Sequence, residues 1–182
     1  SGTWGNNGFF SYTQSLQDTK DVYEYLTQNA TKFRIDVEQI YLLGHSMGGD
    51  IALLASEELK GIKGVITLNP WSGYDVLNKK INEQLNKYIT NLEQRPCINL
   101  VSGEEFVKEV MTNEKISLRK ALENKSILNI FSNDKEKSTF MNFHKDINKD
   151  KVMVLNACDH SFSDKRIRLA KTIFEWLENH KH

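Results

Sequence analysis

The sequence predicts an α/β protein: a three-layer α/β/α sandwich with a mostly parallel sheet. Two observations support this prediction. Strand-like and helix-like apolar patterns alternate along the chain. The strand-like segments are short and continuously apolar, as parallel strands covered on both faces are. A length of 182 residues fits a single domain over residues 1–182, with room for one insertion.

Four strands are predicted from the apolar runs. The first ends at Gly44, and the second is stopped by Asn69 and Pro70, because proline cannot donate a hydrogen bond to a sheet. The predicted strands cover residues 39–43, 64–68, 127–131 and 151–155. Each is followed by a polar or glycine-rich turn, so chemistry-bearing residues would gather where the strands end.

Helices are predicted where apolar residues recur on one face. The first has a candidate cap at Thr13 or Ser15. These helices cover residues 16–26, 48–59, 137–147 and 163–177. Between the second and third strands the alternation breaks, and amphipathic helices are predicted over residues 77–92, 104–111 and 118–124. Apolar side chains of this stretch are expected mainly to pack helices against the sheet: Trp71, Tyr74, Ile81, Leu85, Tyr88, Ile89, Phe106 and Val110.

Composition and charge exclude several classes of protein. With 24 basic and 24 acidic residues, the chain offers no electrostatic case for binding nucleic acid or a membrane surface. No apolar run approaches the ~18 residues of a membrane helix, and no signal peptide is visible. Cys97 and Cys158 cannot form a disulfide framework or a four-cysteine zinc site. We expect reduced thiols, a cytoplasmic location, and no metal or organic cofactor.

The motif that carries chemistry is Gly44-His45-Ser46-Met47-Gly48-Gly49. It fits G-x-S-x-G between a predicted strand and a predicted helix, where a strained turn lifts the Ser46 hydroxyl above the sheet. Gly44 and Gly48 would avoid a clash across the turn, and Gly49 would let the helix approach the sheet. The Met47 N–H, at the helix start, is a candidate oxyanion donor.

A serine nucleophile needs a base and an orienting carboxylate. His160 follows the last strand in a short loop, which opens at the same edge of the sheet as the Ser46 turn. The acid is predicted to be Asp134, which follows the third strand in the same way. Asp159, Glu136 and Asp164 are the alternative acids.

The chain order Ser46, Asp134, His160 resembles that of an α/β hydrolase. The similarity rests on residues 36–49, 127–135 and 157–164, and is closest to the cinnamoyl- and feruloyl-esterase-like members. It implies Ser46 as nucleophile, Asp134 as acid, His160 as base and the Met47 N–H as one oxyanion donor. Residues 72–125 match the position of the helical cap that such members insert over the site.

The resemblance starts late in the family's fold. Members carry several strands ahead of the serine strand, and a loop there supplies a second oxyanion donor, often from a His-Gly pair. Only 43 residues precede Gly44, and no His-Gly pair occurs. The chain therefore resembles the carboxyl portion of a hydrolase. A fragment, a split gene or pairing with another chain would each explain this, and we expect self-association or an upstream fragment to cover the open strand edge.

The function predicted from these observations is a serine hydrolase. It would cleave a carboxylic ester or related acyl bond of a small-molecule substrate through an acyl-enzyme. One alternative is a truncated or degenerate relative that folds without catalysis. The other is a serine peptidase of the prolyl-oligopeptidase type.

Overall fold

A computed structural model of the chain describes residues 2–71, 73, 77, 82–113, 126–143 and 152–180. Four parallel strands form one sheet in the order in which they occur along the chain. The strands are β1 (Ile40–His45), β2 (Ile62–Leu68), β3 (Ser126–Phe131) and β4 (Val152–Val154). The helices among the described residues are α1 (Tyr12–Gln28), α2 (Ala30–Phe33), α3 (Met47–Glu58), α4 (Asn82–Glu93), α5 (Gly103–Asn113), α6 (Asp134–Phe143) and α7 (Arg166–Asn179).

Neighbouring residues of the central strands point into two separate cores. Val65 and Ile127 lie in a core that also holds residues of α1 and α3. Ile66 and Leu128 lie in a second core, against which the apolar side of α7 packs. This two-residue alternation follows from the pleat of a strand, which turns successive side chains to opposite faces. The sheet is covered on both faces, and the predicted three-layer fold is confirmed.

The strand predictions are confirmed to within two residues at each end, whereas α1 and α6 begin four and three residues before their predicted starts and α7 begins three residues after its predicted start. Helix α1 begins at Tyr12 because Ser11, not Thr13 or Ser15, caps it: the Ser11 hydroxyl accepts the Gln14 N–H at 2.9 Å. Helix α2 was not predicted, since four residues carry too little periodicity. The helix predicted over 118–124 and the end of that over 137–147 lie outside the described residues.

Of the described helices of the predicted cap region, α5 packs beside α1, and α4 packs against α5. Phe106 and Val110 of α5 are buried in the same core as α1 and α3. The ring of Trp71 stacks on Tyr88 at 6.5 Å and on Phe106 at 6.3 Å between centroids. These contacts agree with a packing role for the apolar residues of this region. Tyr74 and Ile81 lie outside the described residues, as do 114–125.

Strand β1 is an edge of the sheet. It pairs with β2 on one side, and no other strand among the described residues pairs with it. Leu43 is 52% exposed there. An open groove of about 420 Å³ runs between β1 and α1. Its lining is mostly apolar: Asp18, Thr19, Val22, Tyr23, Leu26, Ile35, Ile40, Tyr41 and Leu42. The cover expected for this edge is therefore not supplied by the described part of the chain.

Two further sequence-based expectations concern cysteines and membranes. Cys97 is half-buried and Cys158 exposed, and both are free thiols. None of the helices in the described ranges is both long and apolar enough to cross a bilayer.

Candidate active site

Parallel pairing brings four loops to one edge of the sheet. His45 lies opposite Leu68, Leu68 opposite Ile130, and Phe131 opposite Val154. The residues that follow these strand ends therefore share the carboxyl edge of the sheet, where ligands bind in open α/β folds. This edge therefore holds Ser46, Asn69, Ser132 and the start of the loop that carries His160.

Ser46 occupies a strained turn between β1 and α3. Its φ of +55° and ψ of −123° lie outside the conformations that side-chain-bearing residues favour. The Ser46 N–H donates to the Leu68 carbonyl at 2.9 Å, and its own carbonyl accepts the Gly49 N–H at 2.9 Å and the Trp71 N–H at 3.2 Å. Three backbone hydrogen bonds therefore hold the turn in this conformation, as the motif predicts.

The glycines around Ser46 do not share one role. A Cβ on Gly44 would lie 1.9 Å from the Gly48 carbonyl oxygen, so position 44 admits only glycine. A Cβ on Gly49 would lie 3.1 Å from the Cβ of Pro70, which agrees with a close approach of α3 to the sheet. A Cβ on Gly48 would meet nothing within 4 Å. The prediction that Gly48 also relieves a clash is therefore wrong.

Helix α3 begins directly after the serine. Met47 is its first residue, so the Met47 N–H has no carbonyl one helical turn earlier to bond. It belongs to the positive end of the helix dipole and lies next to the Ser46 side chain in sequence. This is the position at which an oxyanion donor is expected.

His160 lies in the loop between β4 and α7, with its ring partly exposed. Its Nδ1 is 3.3 Å from Oε1 of Glu136. Because a carboxylate can only accept, Nδ1 carries the proton in this contact, and Nε2 is left as the basic nitrogen. The pair thus has the arrangement in which a carboxylate fixes the tautomer of a histidine base.

The carboxylate at His160 is Glu136 rather than Asp134. Both belong to the first turn of α6, and the Glu136 N–H is capped by Oδ1 of Asn133 at 3.0 Å. Two positions apart on a helix is a rotation of about 200°, so the two side chains leave α6 in different directions. Asp134 is exposed, and within the described ranges no hydrogen bond or ion pair joins it to His160. The sequence therefore predicted that the acid lies in this first turn of α6, but it did not distinguish Glu136 from Asp134.

The other two alternative acids, Asp159 and Asp164, form hydrogen bonds inside the His160 loop and stabilise it. Oδ1 of Asp159 accepts the N–H groups of Ser161 at 2.9 Å and Ser163 at 3.0 Å. Hydrogen bonds from Ser163 lower the pKa of Asp159. Oδ1 of Asp164 accepts the Cys158 N–H at 2.8 Å. This bond, with help from Lys165, lowers the pKa of Asp164 to about 2.

The serine turn and the histidine loop meet through His45. Its ring lies 4.8 Å from that of His160, measured between centroids, and its Nε2 lies 2.9 Å from the His160 carbonyl oxygen. Between Ser46 Oγ and the His160 ring, no hydrogen bond occurs in the part of the chain that the structure describes.

Two residues of this edge, His45 and Asn69, were not predicted from the sequence to contact the His160 loop. The sequence signal for Asn69 was only a strand-stopping Asn-Pro pair. No cluster of three or more histidine, cysteine or acidic side chains that could hold a metal ion occurs within the described ranges.

Known proteins resemble this chain in sequence and in fold. Residues 10–157 match the family model described as BD-FAE. The versiconal hemiacetal acetate esterase of Dothistroma septosporum (strain NZE10 / CBS 128990) is 29% identical over 106 residues, which are 54% of this chain and 32% of the esterase. The matched region thus spans about a third of that relative's length.

Two solved structures share the fold. The esterase EaEST from Exiguobacterium antarcticum superposes with a TM-score of 0.51 at 15% identity, covering 97% of this chain and 78% of its own. The α/β hydrolase GrgF from Penicillium sp. sh18 gives a TM-score of 0.54 at 14% identity, covering 97% and 74%. At such identities the likeness concerns the fold alone.

Proposed function

The chain belongs to the BD-FAE family of the α/β-hydrolase superfamily, and from this premise we propose that it cleaves carboxylic esters with Ser46 as nucleophile. The observation that carries the proposal is that the strained Ser46 turn and a histidine–carboxylate pair lie on the same sheet edge. His160 acts as the base in this proposal. Glu136 takes the role that the sequence assigned to Asp134.

The proposed reaction has two halves. In the first, His160 Nε2 takes the proton of Ser46 Oγ as that oxygen attacks the ester carbonyl, and it then gives the proton to the leaving alcohol. This leaves the acyl group on Ser46. In the second, His160 removes a proton from water, the hydroxide attacks the acyl carbonyl, and the acid leaves as Ser46 recovers its proton. Glu136 stabilises the imidazolium in both halves.

The oxyanion of each half would be stabilised by the Met47 N–H. A second donor is usual in such sites, and loss of one donor typically costs ~10²–10³ in rate. No residue was assigned to this second donor from the sequence.

A second candidate function is a folded hydrolase-like unit that is inactive alone. The open edge of β1 favours it, because no strand of the described residues covers that edge. We propose that a second copy or an upstream fragment pairs there. For the active hydrolase, the proposed acyl substrate is a small molecule, and no observation within the described residues favours the prolyl-oligopeptidase alternative.

A fluorophosphonate probe tests the proposal directly, because it phosphonylates only a serine whose proton a base removes. We expect labelling of the unsubstituted chain, located to Ser46 by peptide mass spectrometry, and none in Ser46→Ala. Ser126→Ala, which changes a hydroxyl at the opposite end of β3, is the matched control and should label normally. Absence of labelling in the unsubstituted chain would favour the inactive unit.

A further inference from the structure

Two side chains converge on one backbone oxygen of the proposed base. The carbonyl of His160 lies 2.8 Å from Asn69 Nδ2 and 2.9 Å from His45 Nε2. A carbonyl oxygen has two lone pairs, and each can accept one donor. The loop that carries the imidazole is thus fixed at the residue itself, rather than at a neighbour.

Asn69 reaches both loops of the histidine–carboxylate pair. It is 1% exposed, and its φ of +44° is one that asparagine tolerates better than most residues. Its Nδ2 donates to His160, while its Oδ1 accepts the N–H of Ser132 at 2.9 Å. Ser132 opens the turn that leads to Glu136. One buried amide, placed at the end of β2, therefore links the base loop with the acid loop.

His45 supplies the link to the nucleophile. It directly precedes Ser46, and its ring packs against the His160 ring with an interplanar angle of 51°. The carbonyl it contacts can only accept, so His45 Nε2 carries the proton and donates. His45 is exposed, so a substitution there removes little buried surface.

We propose that Asn69 and His45 are positioning residues, whose two donors hold the His160 carbonyl and thereby set the imidazole between Ser46 and Glu136. The inference rests on the proposed function. Its physical basis is that a misplacement of about 1 Å in a catalytic group can cost 10²-fold in rate. A residue that only joined strand ends would change stability, and not the rate of the folded protein.

The test compares His45→Phe with His45→Gln. Phenylalanine keeps a ring against His160 but has no donor, whereas glutamine keeps a donor and loses the ring. His180→Phe is the matched control, because His180 also stacks on a ring, that of Trp176 at 4.2 Å, and contacts its carbonyl with Nδ1 at 2.7 Å. It lies at the end of α7, away from the site.

The measurement is the rate of fluorophosphonate labelling against probe concentration. We expect His45→Phe to lower the maximal rate by about tenfold to a hundredfold, with the half-saturating concentration within about threefold. His45→Gln should recover to within about threefold of the unsubstituted chain. His180→Phe should leave both quantities unchanged.

Asn69→Asp provides the second arm. It keeps the acceptor for Ser132 and loses the donor to His160, so it should slow labelling as His45→Phe does. Asn129→Asp is its matched control, since Asn129 is a buried amide between β2 and β3 that accepts from Thr67 Oγ1 at 2.7 Å. If Asn69→Asp does not fold, the His45 pair decides alone.

The possible outcomes test the positioning role of His45 and Asn69 separately from the proposed esterase function. Normal labelling of the unsubstituted chain with unchanged rates in His45→Phe would overturn the positioning role and leave the proposed function standing. Equal losses in His45→Phe and His45→Gln would also overturn it, because the donor would then not matter. A chain that does not label at all would overturn the proposed function and the positioning role together.

Discussion

The choice between Glu136 and Asp134 is made at the scale of single side chains. Of these two residues, Glu136 is the one with an oxygen at hydrogen-bonding distance from His160 Nδ1, at 3.3 Å. Glu136→Gln should therefore lower kcat for a short-chain aryl ester by about 10²–10⁴, because an amide neither stabilises the imidazolium nor selects the required tautomer. Asp134→Asn, the matched control two residues away, should leave kcat within about twofold.

Steady-state hydrolysis at several substrate concentrations separates the effects on kcat and KM. A loss in Asp134→Asn with normal activity in Glu136→Gln would restore the acid predicted from the sequence. It would mean that the loops rearrange when substrate binds.

Gly44 and Gly48 give a second contrast at this scale. Gly44→Ala would place a methyl group 1.9 Å from the Gly48 carbonyl oxygen, so the turn must deform. We expect a loss of at least about 2 kcal/mol in unfolding free energy, at the upper end of overpacking effects. Gly48→Ala adds a methyl group where nothing lies within 4 Å, and should be neutral or stabilising by up to about 1 kcal/mol because alanine favours helix.

Urea unfolding followed by circular dichroism measures both variants. Equal losses in the two would show that the turn tolerates no side chain at either position, as the sequence motif alone suggested.

At the scale of elements, the strands were predictable and the contacts between loops were not. Strands buried on both faces must be continuously apolar, so their runs were visible and their parallel order followed. The start of α1 depends on which of three neighbouring hydroxyl groups accepts a hydrogen bond from a backbone N–H, and the apolar pattern of the sequence does not decide that. Which acidic residue contacts His160 depends on the direction in which each side chain leaves α6. The role of Asn69 depends on its hydrogen bonds to two different loops. Sequence spacing encodes neither.

The loop that carries His160 should respond to acid through Asp164. Its folded pKa of about 2 lies below the ordinary aspartate value of about 3.9. The carboxylate therefore stabilises the fold fully above about pH 5, and this contribution is lost as the pH falls through 3.9 towards 2. Asp164→Asn should remove that part of the pH dependence, so the two proteins should differ more in stability at pH 6 than at pH 2.

Thermal unfolding across this pH range measures the difference. The same carboxylate raises the pKa of the exposed Cys158 thiol, chiefly through a hydrogen bond. Alkylation of Cys158 at pH 8 should accordingly be faster in Asp164→Asn. An unchanged difference in stability from pH 6 to pH 2 would show that Asp164 does not hold the loop.

For the whole molecule, the central question is the free edge of β1. An unpaired parallel strand offers a row of backbone donors and acceptors, and proteins normally cover such an edge or place charges on it. Here the edge borders an apolar groove, and Leu43 is 52% exposed. We propose that a second copy covers this edge when the chain is alone in solution. We expect concentration-dependent association above the monomer mass of 21.0 kDa.

Leu43→Lys should shift this equilibrium to the monomer, because a charge on an edge strand opposes pairing at little cost to the fold. Ile167→Lys is the matched control: Ile167 is 89% exposed on α7, so the substitution also removes exposed apolar surface, but away from β1. Sedimentation equilibrium compares the three proteins. Association that Ile167→Lys abolishes and Leu43→Lys preserves would place the interface on α7. A chain that stays monomeric at all concentrations would show that a second copy does not pair with the β1 edge.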